Sequence, residues 1–173
     1  MHIDLSSHRN KLEIVIDLER YFKDCLLQVV EKDINKPWGA YFKFTEQDGN
    51  TFKKLFFADN HIKQLERRGL KHEPKILLVA PGKRLSWQYH FRRSELWRVI
   101  DSKVGVILSK TDQEPIDVPT YASGDLLTIP VGVRHRLIGL DNWGIVAELW
   151  VHEEEAKPSD EVDIVRIADD FGR

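Results

Sequence analysis

Apolar residues recur near the start of the chain as Val15, Leu18, Phe22, Cys25 and Val29, steps of three or four that lay one stripe along a helix. Capping residues lie between Asp4 and Asn10, so a helix is predicted over residues 8–32, ending near Asp33. Its stripe needs a partner, either the rest of the domain or a second subunit. Cys25 sits on the stripe and reads as a small core hydrophobe rather than a nucleophile.

Beyond this helix the pattern changes. Lys36-Pro37-Trp38-Gly39 breaks the helical period, Ala40 to Phe44 reads as a strand, and Asp48-Gly49 reads as the turn after it. Residues 51–72 combine Phe52, Leu55, Phe56 and Phe57 with a charged run, Lys63 to Lys71, compatible with a short helix ending near Gly69. From Lys75 onward, short apolar runs alternate with turn residues: 75–80 (KILLVA) before Pro81-Gly82, 96–100 (LWRVI), 104–109 (VGVILS), 125–129 (DLLTI) before Pro130, and 145–151 (IVAELWV). Five such runs without helical patterning between them predict an antiparallel sandwich or barrel and argue against a parallel α/β fold. The chain thus divides into an N-terminal helical extension, residues 1–33, and an all-β domain, 34–173. The stretch 153–170 holds eight acidic and two basic residues and is expected to begin as a solvated loop around Pro158-Ser159.

With 173 residues, 42% hydrophobic and 31% charged, the chain is too apolar for disorder and too polar for a membrane protein. A formal charge of −2 provides no general field for a nucleic-acid backbone or anionic lipid. Glu13, Asp17 and Glu19 interrupt the first apolar stretch, which therefore reads as neither signal peptide nor transmembrane span. The single Cys25 allows no intrachain disulfide and no zinc ribbon. A cytoplasmic protein is expected, with His2 and His8 solvated near the N-terminus.

Two segments carry chemistry. The first runs from Gly82 to Glu95. In a strand Gln88 and His90 share a face, and a turn through 91–94 brings Glu95 back toward them, gathering an amide oxygen, an imidazole and a carboxylate. The second runs from Gly124 to His135, where Pro130 and Gly132 bend the chain and present a second imidazole at the start of the next strand. Such a set suits zinc, and also manganese, cobalt, nickel or iron, with positions left open for water or substrate. Lys83, Arg84, Arg92, Arg93 and Arg98 crowd the first segment against one acid, Glu95, and Arg134 and Arg136 flank His135. This local positive charge predicts a small anionic substrate despite the slightly negative total. Arg136 is out of phase with His135 and is expected to project outside the barrel. Glu148 is a lone carboxylate in an apolar strand, either facing a polar cavity or a costly buried charge, and is the candidate acid/base.

The two segments resemble the paired motifs of the cupin superfamily, G-x5-H-x-H-x3/4-E-x6-G and G-x5-P-x-G-x2-H-x3-N. Gln88 replaces the first His, Ser102 the closing Gly, and Gly139 the closing Asn. The glutamine is used by one family, the type II mannose-6-phosphate isomerases, found alone or as the C-terminal part of bifunctional isomerase/GDP-mannose pyrophosphorylases. Elements similar to that family follow in order over residues 34–173: Pro37-Trp38-Gly39-Ala40-Tyr41, Pro81 to Trp97, Ile129 to Leu137, more loosely Ala147-Glu148-Leu149, then Asp163-Ile164-Val165-Arg166 and Asp169-Asp170-Phe171-Gly172-Arg173.

The resemblance implies an all-β cupin double-stranded β-helix, or jelly-roll barrel, with an added N-terminal α-helix. It also implies a divalent metal on Gln88, His90, Glu95 and His135, and interconversion of mannose 6-phosphate and fructose 6-phosphate. Arg93 matches an Arg regarded as functional in the family and is expected to serve both catalysis and substrate binding. Lys75 and Arg84 are expected to contact the sugar phosphate, with Trp38 and Tyr41 walling the sugar site. Residues 52–74 read as an insertion able to remodel the pocket mouth. Cupins pair through their strands, so a homodimer is expected. A metal-dependent dioxygenase and a sugar-binding cupin without turnover are the alternatives.

Overall fold

The computed structural model describes residues 3–57, 62–63, 68–154 and 156–172. Helix α1 (Lys11–Asp24) starts at a capping box in which the Asn10 side chain accepts from the Glu13 N–H and the Glu13 carboxylate reaches back. It ends where Leu26 takes φ +57° and Leu27 N–H closes on Phe22 O. The helix is therefore shorter than the 8–32 expected. Residues Val29–Asp33 form strand β1 instead, antiparallel to β2 (Gly39–Phe44). The period misled because Val29 faces the same apolar cluster from a strand that Cys25 faces from the helix end. The segment expected to be all helix up to residue 33 thus supplies an edge strand of the sheet.

The Asp48-Gly49 turn is likewise replaced. A 3₁₀ turn, Glu46–Asp48, runs into helix α2 (Gly49–Phe56), which buries Phe52 and Phe56. Of the expected helix near 63–71, residues 64–67 lie outside the described residues.

The remaining strands are β3 (His72–Val79), β4 (Trp87–His90), β5 (Arg93–Asp101), β6 (Lys103–Ser109), β7 (Thr120–Ala122), β8 (Leu126–Ile129), β9 (Arg134–Gly139), β10 (Gly144–His152) and β11 (Ile164–Ala168). They form two antiparallel sheets, ordered β1-β2-β3-β10-β5-β8 and β11-β4-β9-β6-β7. This is the double-sheeted cupin barrel with an N-terminal helix that the sequence led one to expect.

Two cores follow from strand parity. Between the sheets lie Leu77, Val79, Trp97, Val99, Val104, Val106, Leu137 and Val146. On the outer face of the first sheet, Phe42, Phe44, Ile76, Leu78, Ile145, Ala147 and Leu149 pack under Ile14, Leu18 and Phe22 of α1 and Phe52 and Phe56 of α2. Hence all nine residues of β10 are buried, and its sequence shows no polar face. The 49–57 segment is thus a cover for the outer sheet face, and none of the described residues of 52–74 lines the barrel cavity. No helix among the described residues is long and apolar enough to cross a membrane.

Three motif positions have backbone reasons. Gly39 adopts φ +150°, and a Cβ there would meet Leu78 O at 1.8 Å, so the Pro-Trp-Gly element lets β2 close on β3. At Gly139 a Cβ would meet Ala80 O at 2.0 Å, while its N–H donates to Lys83 O; no Asn side chain fits in its place. Ser102 turns the chain from β5 into β6 at φ +65°, the left-handed region where the cupin motif places Gly. The Ser102 N–H also donates to Asp101 Oδ1 at 2.7 Å, a bond that glycine would keep. Ser102→Gly is therefore expected to stabilise the fold by about 0.5–1 kcal/mol, raising Tm by about 1–4 °C in a thermal melt.

Candidate metal centre and cavity

Strand β4 brings His90, β5 brings Glu95 and β9 brings His135 to one point between the sheets. The two sequence segments are tied directly. Gln88 pairs with His135 in register, and Gly132 N–H donates to His90 O at 2.8 Å. The ligand atoms of His90, Glu95 and His135 lie within 4.8 Å of one another, and all three residues are buried.

The hydrogen-bonding pattern leaves a gap that fits a cation. His135 Nδ1 lies 3.0 Å from Val133 O, a carbonyl that only accepts, so Nδ1 carries the proton. Its Nε2 has no hydrogen-bond partner among the described residues and faces Glu95 Oε2 at 3.3 Å. His90 Nε2 faces Glu95 Oε1 at 3.0 Å, while its Nδ1 is unpartnered. Arg93 Nη2 donates toward the same Nε2 at 3.2 Å, so that atom too presents a lone pair. Burial holds the His90 pKa down at about 4 despite Glu95, which keeps the imidazole neutral and able to ligate. Lone pairs facing a carboxylate across about 3.0–3.4 Å are spaced like neighbouring ligands on one ion with bonds of about 2.1 Å. The donor set therefore fits a divalent metal. Gln88 lines the same cavity, with its Oε1 accepting from Ser86 Oγ at 2.6 Å.

Glu95 is 2% exposed. Burial would raise its pKa, but the polar groups converging on it hold it well below the ordinary carboxylate range. Arg93 Nε donates to Oε1 at 2.9 Å and Trp97 Nε1 to Oε2 at 3.1 Å. The same indole N–H also donates to Glu148 Oε1 at 2.9 Å, so one fork joins the two carboxylates. Glu148 is 5% exposed, and burial, then the neighbouring Glu95 charge, pushes its pKa up to about 8. A cation at the triad would oppose the second cause and return Glu148 toward ionisation.

A cavity of about 250 Å³ opens beside these groups. Trp38, Tyr41, Lys75, Gln88, Arg93, Glu95 and Glu148 all line it, so most of the sequence-derived site converges. Arg84 does not reach it. Its guanidinium pairs with Asp170 (Nε to Oδ2, 2.5 Å) and approaches Glu114 at 3.7 Å, outside the cavity wall. The basic cluster is likewise dispersed, Arg92 onto Asp160 and Asp163, Arg134 onto Asp112. Arg136 does not line the cavity, in keeping with its phase, and it is buried where it leaves the barrel, held by Glu114 and Ala168 O. The tail begins as the exposed loop expected, through Glu154 and Ala156 to Pro158, but Ser159 and Asp163 are buried and β11 adds to the second sheet.

The sequence reading missed several lining residues. Lys36 and Arg166 are cations at the cavity, and Glu161 and Ile164 come from the tail. Trp150, also missed, separates two cations, with Lys75 Nζ 3.0 Å and Arg93 Cζ 3.4 Å from its ring centroid. Two groups so close to one centroid must occupy opposite faces. The available signal was parity: 146, 148 and 150 share a face of β10.

Among known families, that of the mannose-6-phosphate isomerase C-terminal domain matches residues 60–169. Mannose-1-phosphate guanylyltransferase of Salmonella montevideo is 25% identical over 145 residues, 84% of this chain and 24% of that protein. Xanthan biosynthesis protein XanB of Xanthomonas campestris pv. campestris is 25% identical over 171 residues, 98% of this chain and 30% of that one. The chain thus spans about a quarter of the length of the curated relatives it matches. Among solved structures, a variant of Bacillus subtilis oxalate decarboxylase superposes with TM-score 0.55 at 12% identity, over 79% of this chain and 30% of that one. The capsular polysaccharide assembling protein CapF of Staphylococcus aureus gives 0.50 at 16% identity, over 81% and 34%. At these identities the structural likeness shows the fold.

Two outcomes follow from the geometry. Purified protein is expected to carry a divalent ion in stoichiometric amount by plasma mass spectrometry, lost in His135→Ala and Glu95→Gln and kept in Arg84→Ala. Because Glu148 titrates higher folded than unfolded, its proton stabilises the metal-free protein at low pH, and that stability is lost as pH rises through about 8. With chelator present, Glu148→Gln should melt like the parent only near pH 4, and increasingly above it as pH rises from the ordinary carboxyl value of 4.5 toward about 8.

Proposed function

Because the chain belongs to the mannose-6-phosphate isomerase C-terminal family, we propose that it is a metal-dependent sugar-phosphate isomerase interconverting an aldose and a ketose phosphate, with mannose 6-phosphate and fructose 6-phosphate as the pair. The observation that carries this reading is one cavity lined both by the ligand Glu95 with a second buried carboxyl, Glu148, and by a set of cations, Lys36, Lys75 and Arg166.

The strands arrange these groups in order. Lys75 on β3 stands opposite Glu148 on β10, which stands opposite Trp97 on β5, two residues from Glu95. Two strand spacings, about 10 Å, separate β3 from β5. That span accommodates a hexose with its phosphate at Lys75 and its C1–C2 end toward Glu95 and Glu148. Arg166 stands beside Gln88 in register on β11 and adds a further cation to the cavity wall. Trp38 and Tyr41 wall the sugar between.

His90, Glu95 and His135, with Gln88 beside them, would hold a divalent ion, which would supply Lewis-acid polarisation of the sugar oxygens and offset the negative charge that develops on them. Glu148 takes the proton from C2 of the aldose and returns it to C1, while the hydroxyl proton passes from O2 to O1. Trp97 fixes Glu148 for that transfer through its indole N–H. Arg93 fixes the ligand carboxylate and adds positive charge next to the reacting oxygens.

A coupled assay for fructose 6-phosphate formation tests the reading. Turnover should vanish with chelator and return with added zinc, manganese or cobalt. Glu148→Gln should lower kcat by 10²-fold or more with KM little changed, and Lys75→Gln should raise KM more than it lowers kcat. Binding of mannose 6-phosphate without turnover would make this a sugar-phosphate-binding cupin instead, and oxygen uptake without isomerisation would sink the assignment.

A further inference from the structure

Three carboxylates line the cavity, and one behaves differently. Glu95 and Glu148 are buried on barrel strands and held by Trp97. Glu161 stands on the 3₁₀ turn Glu161–Asp163 of the tail, and its side chain is 55% exposed. Its carboxylate accepts from Lys75 Nζ at 3.2 Å. Lys75 is itself only 5% exposed, and burial, opposed by Glu148 and Glu161, lowers its pKa. A buried ammonium requires an anion, and Glu148 is a weak candidate because it holds its own proton up to about pH 8.

The backbone carrying Glu161 is fixed on both sides. Ser159 N–H donates to His152 Nδ1 at 3.0 Å, and Ser159 Oγ accepts from Arg93 and donates to Asp163. Asp163 in turn accepts the N–H groups of Phe91 and Arg92 at 3.2 and 3.0 Å. An anchored backbone with an exposed, long side chain describes a group that can swing away from Lys75 without unfolding anything.

We infer that Glu161 is an internal stand-in anion, occupying Lys75 while the cavity is empty and displaced by the phosphoryl group of the ligand. The inference rests on the reading that the cavity takes a phosphorylated sugar, and it makes Glu161 a specificity determinant for that site. Neutral sugars gain nothing at an ammonium already paired, and weak anions must compete with a tethered carboxylate. A phosphoryl dianion brings more charge and more acceptor oxygens than the group it replaces.

Calorimetric titration of the full chain with inorganic phosphate tests this without any turnover. Glu161→Gln should bind phosphate about fivefold more tightly than the parent, the scale of a half-exposed ion pair removed. Glu161→Asp keeps the charge but is one methylene too short for the contact, and should show at least half of that gain in free energy. Equal or weaker phosphate binding by Glu161→Gln overturns the inference, as does absence of phosphate binding by all three proteins. If Glu161→Asp matches the parent while Glu161→Gln gains, the effect is charge acting through space, and direct occupancy is wrong. The expected shifts in a protein that does not isomerise sugar phosphates would sustain the role of Glu161 and remove the isomerase reading. Turnover without the shifts would do the reverse.

Discussion

The interior of this barrel is organised around the Glu95 carboxylate, an anion with almost no access to water. An isolated buried charge is prohibitive, so it survives only where donors and opposite charge converge on it. Arg93 and Trp97 supply two donors from its own strand. His90 and His135 face it from the other sheet, and their lone pairs call for a cation. One carboxylate thus draws β4, β5 and β9 together across the sandwich. Through Arg93 it also reaches Ser159 and the Asp160 carbonyl, which bind the tail to the site. The pairing that makes Glu95 tolerable is the pairing that makes a metal centre.

Glu148 depends on the same fork but ends in the opposite protonation state. Its strand is covered on both faces because α1 and α2 seal the outer side of the sheet, leaving Val146, Glu148 and Trp150 to point inward. There, among the described residues, the hydrogen bond to Glu148 is the Trp97 N–H it shares with Glu95. Two carboxylates sharing one donor cannot both be ionised cheaply, and the one with imidazoles and a guanidinium keeps the charge. The other is left as an acid whose affinity for its proton falls when positive charge arrives next door. In this way the outer helices, remote from the cavity, bear on its chemistry: by covering one face of β10 they commit the other to the barrel.

Much of this was legible in the sequence, for identifiable reasons. Motif spacing located His90, Glu95 and His135 because strand alternation and two tight turns leave few ways to place them. Glu148 stood out because a lone carboxylate in an apolar strand needs an explanation. Ser102 and Gly139, apparent departures from the cupin motif, sit at turn and close-contact positions whose backbone demands are plain only in three dimensions. The N-terminal helix was overextended because spacing reports which core a residue faces and not the element that carries it there, as Val29 shows. Arg84 was misplaced because local charge density in the sequence says nothing of which side of a strand or turn each side chain leaves.

The acidic tail resolves that last point and links charge to function. Folded back, it meets the basic segment residue by residue: Asp160 and Asp163 take Arg92, Asp170 takes Arg84, and Glu161 takes Lys75. The near-zero net charge is therefore a set of matched contacts between two distant stretches of chain. Pairing of this kind removes cations from availability at the surface, so the anion-binding capacity of the protein is set by what remains at the cavity. Arg166 lines it on the tail's own strand, opposite Gln88. Lys75 is matched, among the described residues, by the half-exposed Glu161. On the proposed reading, a cavity built this way would favour one strongly anionic group over anions in general, because most of the basic residues that would attract the rest are already bound by the fold.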